Sequence, residues 1–484
     1  LGPAEAENRI STDPKTATGH RQCKPLGTQS LGRYPARFHH FFHRSPASEV
    51  IVTTPLFYVD NTPYSQDDCD RIVAPLAGSG PFQNPASSRL AVCLQDTAHW
   101  LALCLWLKPL GASVLPIHPG TPRQAAQTLA KETGCSHLLF GDNLRDAAPE
   151  PIERSATPVQ SKGGELIQLS SGTTGKPKTI ARSWRDIDRE LSAYVDHFTE
   201  AQPLTPVVAC PVTHSYGLIC GVLAALERGA TPHVVTNLNP RFILSQLRSV
   251  PEHLLYASPT LVSLLIRILP TSETLHTVML SGAPLPAPVL DQLRERCQRL
   301  CQQYGCSEAG CVALTPNVTT PGLLGTPLPH VTLDAGTSEE QPDDVLITIK
   351  GSGQLINTRD LGYFDAHGQL HFLARTDDTI NVAGINVYPG AVEDVYLNYP
   401  GIREAVAYKQ ADSFAGERVC LRFVADSELD IDQLKQWSRD HLSPHQVPAF
   451  IEQVETIPRL PNGKVSRRLL SEAPAHTLAA EVPA

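Results

Sequence analysis

Short apolar runs alternate along most of the chain with stretches whose apolar residues recur at helical spacing, the pattern of α/β units. Residues 90–94 predict a strand, 100–107 a helix and 113–117 the next strand. The strand predicted at 166–169 runs into a loop of Gly, Ser and Thr, after which Ser183 can cap a helix, with Asp186 three residues on approximating a capping box. That helix would bury Trp184, Ile187, Leu191, Tyr194 and Val195 on one face. Further strands are expected at 207–210 and 275–280, each ending at a polar loop of the kind that binds ligands at strand carboxyl ends. Residues 345–349 and 369–373 alternate, or nearly so, and predict an antiparallel portion.

Val289, Leu290, Leu293, Cys297, Leu300 and Cys301 repeat at helical spacing. Cys297 and Cys301 are therefore expected on the core face of a helix, rather than joining Cys306 and Cys311 as metal ligands, since no C-x-x-C knuckle is present. From 377 onward the pattern is that of a smaller α+β unit, with helices at 391–397 and 431–442 and strands near 404–408 and 419–424. The expected fold class is α/β: a large N-terminal domain of α/β subdomains over 46–376 and a small α+β domain over 377–484. Residues 1–45, rich in Ser, Thr, Pro and Arg, read as a disordered extension.

Composition narrows the function. A chain of 484 residues is too long for one core, and 41% hydrophobic with 18% charged residues is ordinary for a soluble protein. The net charge of −9 excludes a general nucleic-acid binder, so an anionic ligand needs a local pocket. The twelve cysteines are scattered and read as reduced thiols of a cytoplasmic protein. The strongest apolar run, 100–107, stops at Lys108 and Pro109, so no stable membrane insertion is expected.

The most informative stretch is Ser170-Ser171-Gly172-Thr173-Thr174-Gly175-Lys176-Pro177-Lys178. Glycines let backbone amides approach phosphate oxygens, hydroxyls add hydrogen bonds and lysines add charge. It is not a P-loop, because two residues separate Gly172 from Gly175 where that motif has four. Further along come Tyr304-Gly305-Cys306-Ser307-Glu308, Thr358-Arg359-Asp360, Arg375 with Asp377, Gly384 and Glu393, and Pro461-Asn462-Gly463-Lys464.

In this order the five segments resemble those of the adenylate-forming superfamily: acyl-CoA synthetases, peptide-synthetase adenylation domains and luciferases. The resemblance covers roughly residues 89–470. It implies that ATP activates a small carboxylic acid as an acyl-adenylate with release of pyrophosphate, and that the acyl group then passes to a thiol. Ser170 to Lys178 would hold the phosphates, and Tyr304 would stack on adenine beside Gly305 and Ser307. Glu308, with Thr173, would help hold Mg2+, Asp360 would accept from both ribose hydroxyls, and Arg375 would contact ribose or phosphate. Asp377 would be the hinge of a mobile small domain, Gly384 would lie in the loop of the thiol step, and Lys464 would be the catalytic lysine of the first step.

Arg359 stands where the family has a small residue, and Asn381 where many members have Lys or Arg. Ser281-Gly282-Ala283-Pro284-Leu285 resembles the segment that contacts adenine and lines the acyl pocket. Pro211 to Gly217 resembles the loop whose His or aromatic residue borders the carboxylate, and His214 is either that site residue or a satisfied structural histidine. The pocket candidates His214, Ser215, Tyr216, Tyr256 and Ala283 include no carboxylate to anchor an amine, which favours a fatty, hydroxylated or aromatic acid over an amino acid. Coenzyme A is the first expected acceptor and the phosphopantetheine of a separate acyl carrier protein the alternative. A non-catalytic nucleotide sensor has no need of Thr173, Lys176, Glu308, Asp360, Arg375 and Lys464 together, and a luciferase-like role gains nothing from the residues.

Overall fold

The computed structural model describes residues 54–153, 163–170, 178–282, 285–383, 385–412, 415–460 and 465–472. The expected extension over 1–45 lies outside them.

Arg89–Leu94 is buried along its whole length, and so is most of the helix that follows it, Thr97–Leu107. Asp96 caps that helix by accepting from the amides of Ala98 and His99. Such a helix has no polar face because it is covered all round: one core joins Leu101 and Leu103 to Leu218 and Val222 of the 216–223 helix. Arg89–Leu94 pairs in parallel with Ser113–Pro116 and His137–Gly141, and Ser113–Pro116 with Glu165–Ser170. Lys178–Ser183 closes this six-stranded sheet antiparallel to Glu165–Ser170. Ser183 then caps Trp184–His197 by accepting from the amide of Asp186, and Trp184, Ile187, Leu191 and Tyr194 face the core.

A second sheet of thirteen strands changes character partway across. Thr205–Val208, His253–Tyr256, Leu275–Leu280 and Cys297–Cys306 lie parallel. From Cys297–Cys306 outward the neighbours are antiparallel: Gly310–Thr315, Leu323–Pro327, Leu370–Arg375, Leu355–Phe364, Asp343–Ile349 and Val331–Asp334. Cys297–Cys306 is thus the strand on which the sheet switches.

Here one expectation is corrected. The helix Ala287–Arg296 stops before Cys297, and Cys297, Leu300 and Cys301 are buried in a strand. A central strand covered on both faces loses its period of two, and its apolar positions then imitate helical spacing. Burial pushes the Cys297, Cys301 and Cys306 thiols up to about 12.

The chain leaves the large sheet at Arg375 and enters a five-stranded one at Ile380–Val382. Ile385–Val387, Ile402–Asp412, Gly416–Ala425 and Phe450–Gln453 complete it, with the helices Pro389–Leu397 and Ile431–His441. Val392, Tyr396, Leu421, Phe423 and Leu434 form its own core. Among the described residues no helix is long and apolar enough to cross a membrane.

Candidate active site

Asp360 sits in Leu355–Phe364 directly opposite Arg375 of Leu370–Arg375. Arg375 Nη1 donates to Asp360 Oδ1 at 2.8 Å, and the Tyr304 hydroxyl donates to Oδ2 at 2.6 Å. Burial and the charge of Asp360 push the Tyr304 phenol well up, which keeps it the donor. Three segments separated by up to 71 positions in sequence, 304, 360 and 375, thereby meet on one carboxylate.

The backbone before Asp360 is strained. Arg359 has φ +60°, the left-handed region that glycine favours. Asn357 Oδ1 accepts from the Arg359 amide at 2.7 Å, and Thr358 Oγ1 from the Asp360 amide at 3.1 Å, so local side chains hold the turn. The Arg359 guanidinium reaches Asp377 at 3.3 Å, and Arg375 Nη2 lies 3.9 Å from the same carboxylate. All three side chains are well exposed, so these pairs orient Asp377 more than they stabilise the protein.

Tyr304 and Gly305 lie near the end of the switch strand, and the ladder to Gly310–Thr315 shifts register between them. A side chain at Gly305 would strike the Gly310 carbonyl, so only glycine lets the two backbones approach this closely. The turn carries Ser307 and Glu308, and Lys178 Nζ meets Glu308 Oε1 at 3.2 Å. Lys178 and Ser170 are direct partners across the antiparallel pair, so the two residues that flank 171–177 lie side by side.

The turn is also held from behind, by residues the sequence reading missed. Arg182 donates to Glu190 Oε2 at 2.6 Å with both side chains almost fully buried, and Glu190 Oε1 accepts from the Cys311 amide at 2.7 Å. The available signal was Glu190 itself, a charge within the apolar stripe of Ile187, Leu191 and Tyr194.

In the strand Glu165–Ser170, Gln168 Oε1 accepts from Ser215 Oγ at 2.6 Å. His214 beside Ser215 is exposed. Tyr216 donates to the Met279 carbonyl at 2.5 Å. Tyr256, expected to line the pocket, is instead core: its ring lies edge-on to Tyr216 and its hydroxyl 3.2 Å from that of Tyr194. Gly282 follows Leu275–Leu280 with φ +89°. Ser171, Gly172, Thr173, Thr174, Gly175, Lys176, Ala283, Pro284, Gly384 and Lys464 lie outside the described residues, as does the Ser170 side chain.

Arg467 lies three positions after Lys464. Arg467 donates to Glu393 at 2.7 Å, to Asp378 at 3.2 Å and to the Ala407 carbonyl at 3.0 Å. Asp378 lies within the 375–379 turn, where the amides of Asp378 and Thr379 both donate to the Arg375 carbonyl at 3.0 Å.

Residues 156–353 match the family described as AMP-binding enzyme, and 391–464 match the AMP-binding enzyme C-terminal domain. The chain is 37% identical over 415 residues to a 3,4-dihydroxybenzoate–[aryl-carrier protein] ligase of Bacillus anthracis, covering 86% of this chain and 98% of that one. It is 28% identical over 364 residues to a 2-succinylbenzoate–CoA ligase of Bacillus subtilis, covering 69% and 73%. The fold resembles that of an O-succinylbenzoate coenzyme A synthetase from Bacillus subtilis, solved with ATP and magnesium, with TM-score 0.72, 19% identity and 87% and 97% coverage.

Proposed function

Because the chain belongs to the AMP-binding enzyme family and is an AMP-forming acid–thiol ligase, we propose that it adenylates a hydroxylated aryl acid and loads it onto the phosphopantetheine thiol of a separate carrier protein. The observation that carries substrate and acceptor is the 37% identity, over nearly all of its length, to a ligase named for both. The relatives named as CoA ligases stand at 28% or below over shorter spans, and coenzyme A is the second reading.

A carboxylate oxygen is a poor leaving group. Attack of the carboxylate on the α-phosphorus of ATP expels pyrophosphate and gives an acyl-adenylate, whose carbonyl a thiol then attacks with loss of AMP. The demand on the protein is positioning and neutralisation of charge. In this reading Asp360 accepts from the ribose hydroxyls, an arrangement suited to a carboxylate already oriented by Tyr304 and Arg375. The Tyr304 ring packs on adenine, and the segment from Ser170 to Lys178 holds the phosphates. Glu308, a partly buried carboxylate turned towards Lys178, is a fitting ligand for a hard cation and with Thr173 would hold magnesium. Bound there, the ion would neutralise charge on phosphate oxygens.

Lys464 completes the first step as a donor to the α-phosphate, and the small domain, over 377–484, then turns about Asp377 to bring in the Gly384 loop. His214, Ser215 and Tyr216 border the acid. The Ser215–Gln168 pair offers a hydroxyl and an amide to polar ring substituents, and neither side chain is a carboxylate that would attract an amine. The test supplies equal concentrations of coenzyme A and phosphopantetheinylated carrier after adenylation of 3,4-dihydroxybenzoate, and reads the thioesters by mass. Faster carrier loading supports the proposal, and faster formation of the CoA thioester returns the acceptor to coenzyme A.

A further inference from the structure

We propose that Glu190 is a positioning residue for the nucleotide: it fixes the turn bearing Tyr304 and Glu308 against the strand that leaves the 171–177 segment. The inference rests on reading this site as the ATP site. Lys178 and Arg182 lie on one face of Lys178–Ser183, since side chains two and four apart along a strand share a face. At one end of that face Lys178 meets Glu308; at the other Arg182 meets Glu190, which in turn takes the amide of Cys311. Glu308 lies in the turn and Cys311, three positions on, in the strand Gly310–Thr315 that leaves it, so one strand grips this hairpin at two points.

The two grips differ in kind. The Lys178 side chain is 66% exposed, and its contact is screened by solvent. Arg182 and Glu190 are 5% and 1% exposed, so theirs is a fixed geometric constraint. The turn is shaped around the carboxylate: a side chain at Gly310, whose φ is +78°, would run into Glu190, and the ladder shifts register where the Cys311 amide turns to Glu190. Stability alone does not call for a charge there, because well-packed apolar residues commonly match a buried ion pair. What only Glu190 supplies is an acceptor for the Cys311 amide tied at the same time to the strand after the phosphate segment.

Arg182→Met/Glu190→Leu removes both charges and the acceptor, and Arg182→Met/Glu190→Gln removes the charges but keeps an acceptor. In ATP–pyrophosphate exchange the Leu variant is expected to raise the KM for ATP about tenfold or more, by misplacing the turn, with the KM for the acid unchanged. The Gln variant is expected to recover most of that loss. An ATP KM that stays at the wild-type value in the Leu variant overturns the inference, as does an equal rise in both KM values or a failure of Gln to rescue. If the Leu variant does not fold, Glu190→Asp decides alone, since it keeps the charge beside Arg182 but draws the carboxylate back from the Cys311 amide by one methylene: a raised ATP KM with an unchanged acid KM supports the role, and an unchanged ATP KM overturns it. A wild-type chain without exchange refutes the ligase reading instead, and the Glu190 role is then read from ATP binding by calorimetry.

Discussion

Tyr304 donates its phenolic hydrogen to Asp360 across 2.6 Å, joining the strand where the large sheet changes direction to the antiparallel strand Leu355–Phe364. Removing a hydrogen bond to a charged acceptor costs about 1.5–3 kcal/mol. Tyr304→Phe keeps the ring and loses only this bond, so the KM for ATP should rise roughly tenfold with the KM for the acid unmoved. Steady-state pyrophosphate exchange checks this, and an unaltered ATP KM refutes the assigned role of Asp360.

Arg359 adopts a left-handed conformation that costs a non-glycine residue about 1–2 kcal/mol. Its ion pair with Asp377 is exposed and offsets at most about 1 kcal/mol. Arg359→Gly should therefore be as stable as the wild type or slightly more so, and Arg359→Ala less stable than Arg359→Gly by about 1 kcal/mol. Urea unfolding of the three proteins measures the order, and an Ala variant as stable as the Gly variant removes strain from the account.

Arg467, three positions after Lys464, is tied to Glu393 and to Asp378 of the 375–379 turn. Arg467→Met should slow adenylation about tenfold or more while ATP still binds, because the lysine loses its anchored neighbour. Arg467→Lys should recover only part, since one ammonium does not reproduce a guanidinium fork. Single-turnover adenylation with parallel ATP titration separates the effects, and a full-rate Met variant contradicts this placement.

Burial lowers the pKa of His253, whose Nδ1 lies 2.8 Å from the Val250 carbonyl and whose Nε2 accepts from the His276 amide at 2.9 Å. Both nitrogens are thus committed to the neutral ring. As pH falls through the unfolded value near 6.5, the unfolded chain takes up a proton that the folded one resists, so stability present above that pH is lost below it. The Tm should fall between about pH 7 and pH 5.5 and fall less steeply in His253→Gln. An equal slope in the variant assigns the acid lability to other groups.

How much of this was legible in the sequence depended on range. Ser183 and its helix were, because a cap and its amides lie three residues apart. Gly305 and Asp360 were marked by motifs whose residue types match their tasks. The Cys297 strand was misread because its neighbours on both faces lie far away in sequence, and the pattern alone does not reveal such cover. Arg182, Glu190 and Cys311 were missed for the same reason: an acceptor for an amide 121 positions away leaves no local signature beyond a charge in an apolar stripe.

The most direct measurement is ATP–pyrophosphate exchange with hydroxylated benzoates, fatty acids and amino acids, run on the wild type and on Lys464→Ala. The expected result is exchange with a hydroxylated benzoate, 3,4-dihydroxybenzoate among those tried, slowed roughly a hundredfold in the variant. Folded protein that binds ATP but exchanges with none of the acids, or exchange that Lys464→Ala leaves intact, would contradict the site and the chemistry assigned to it.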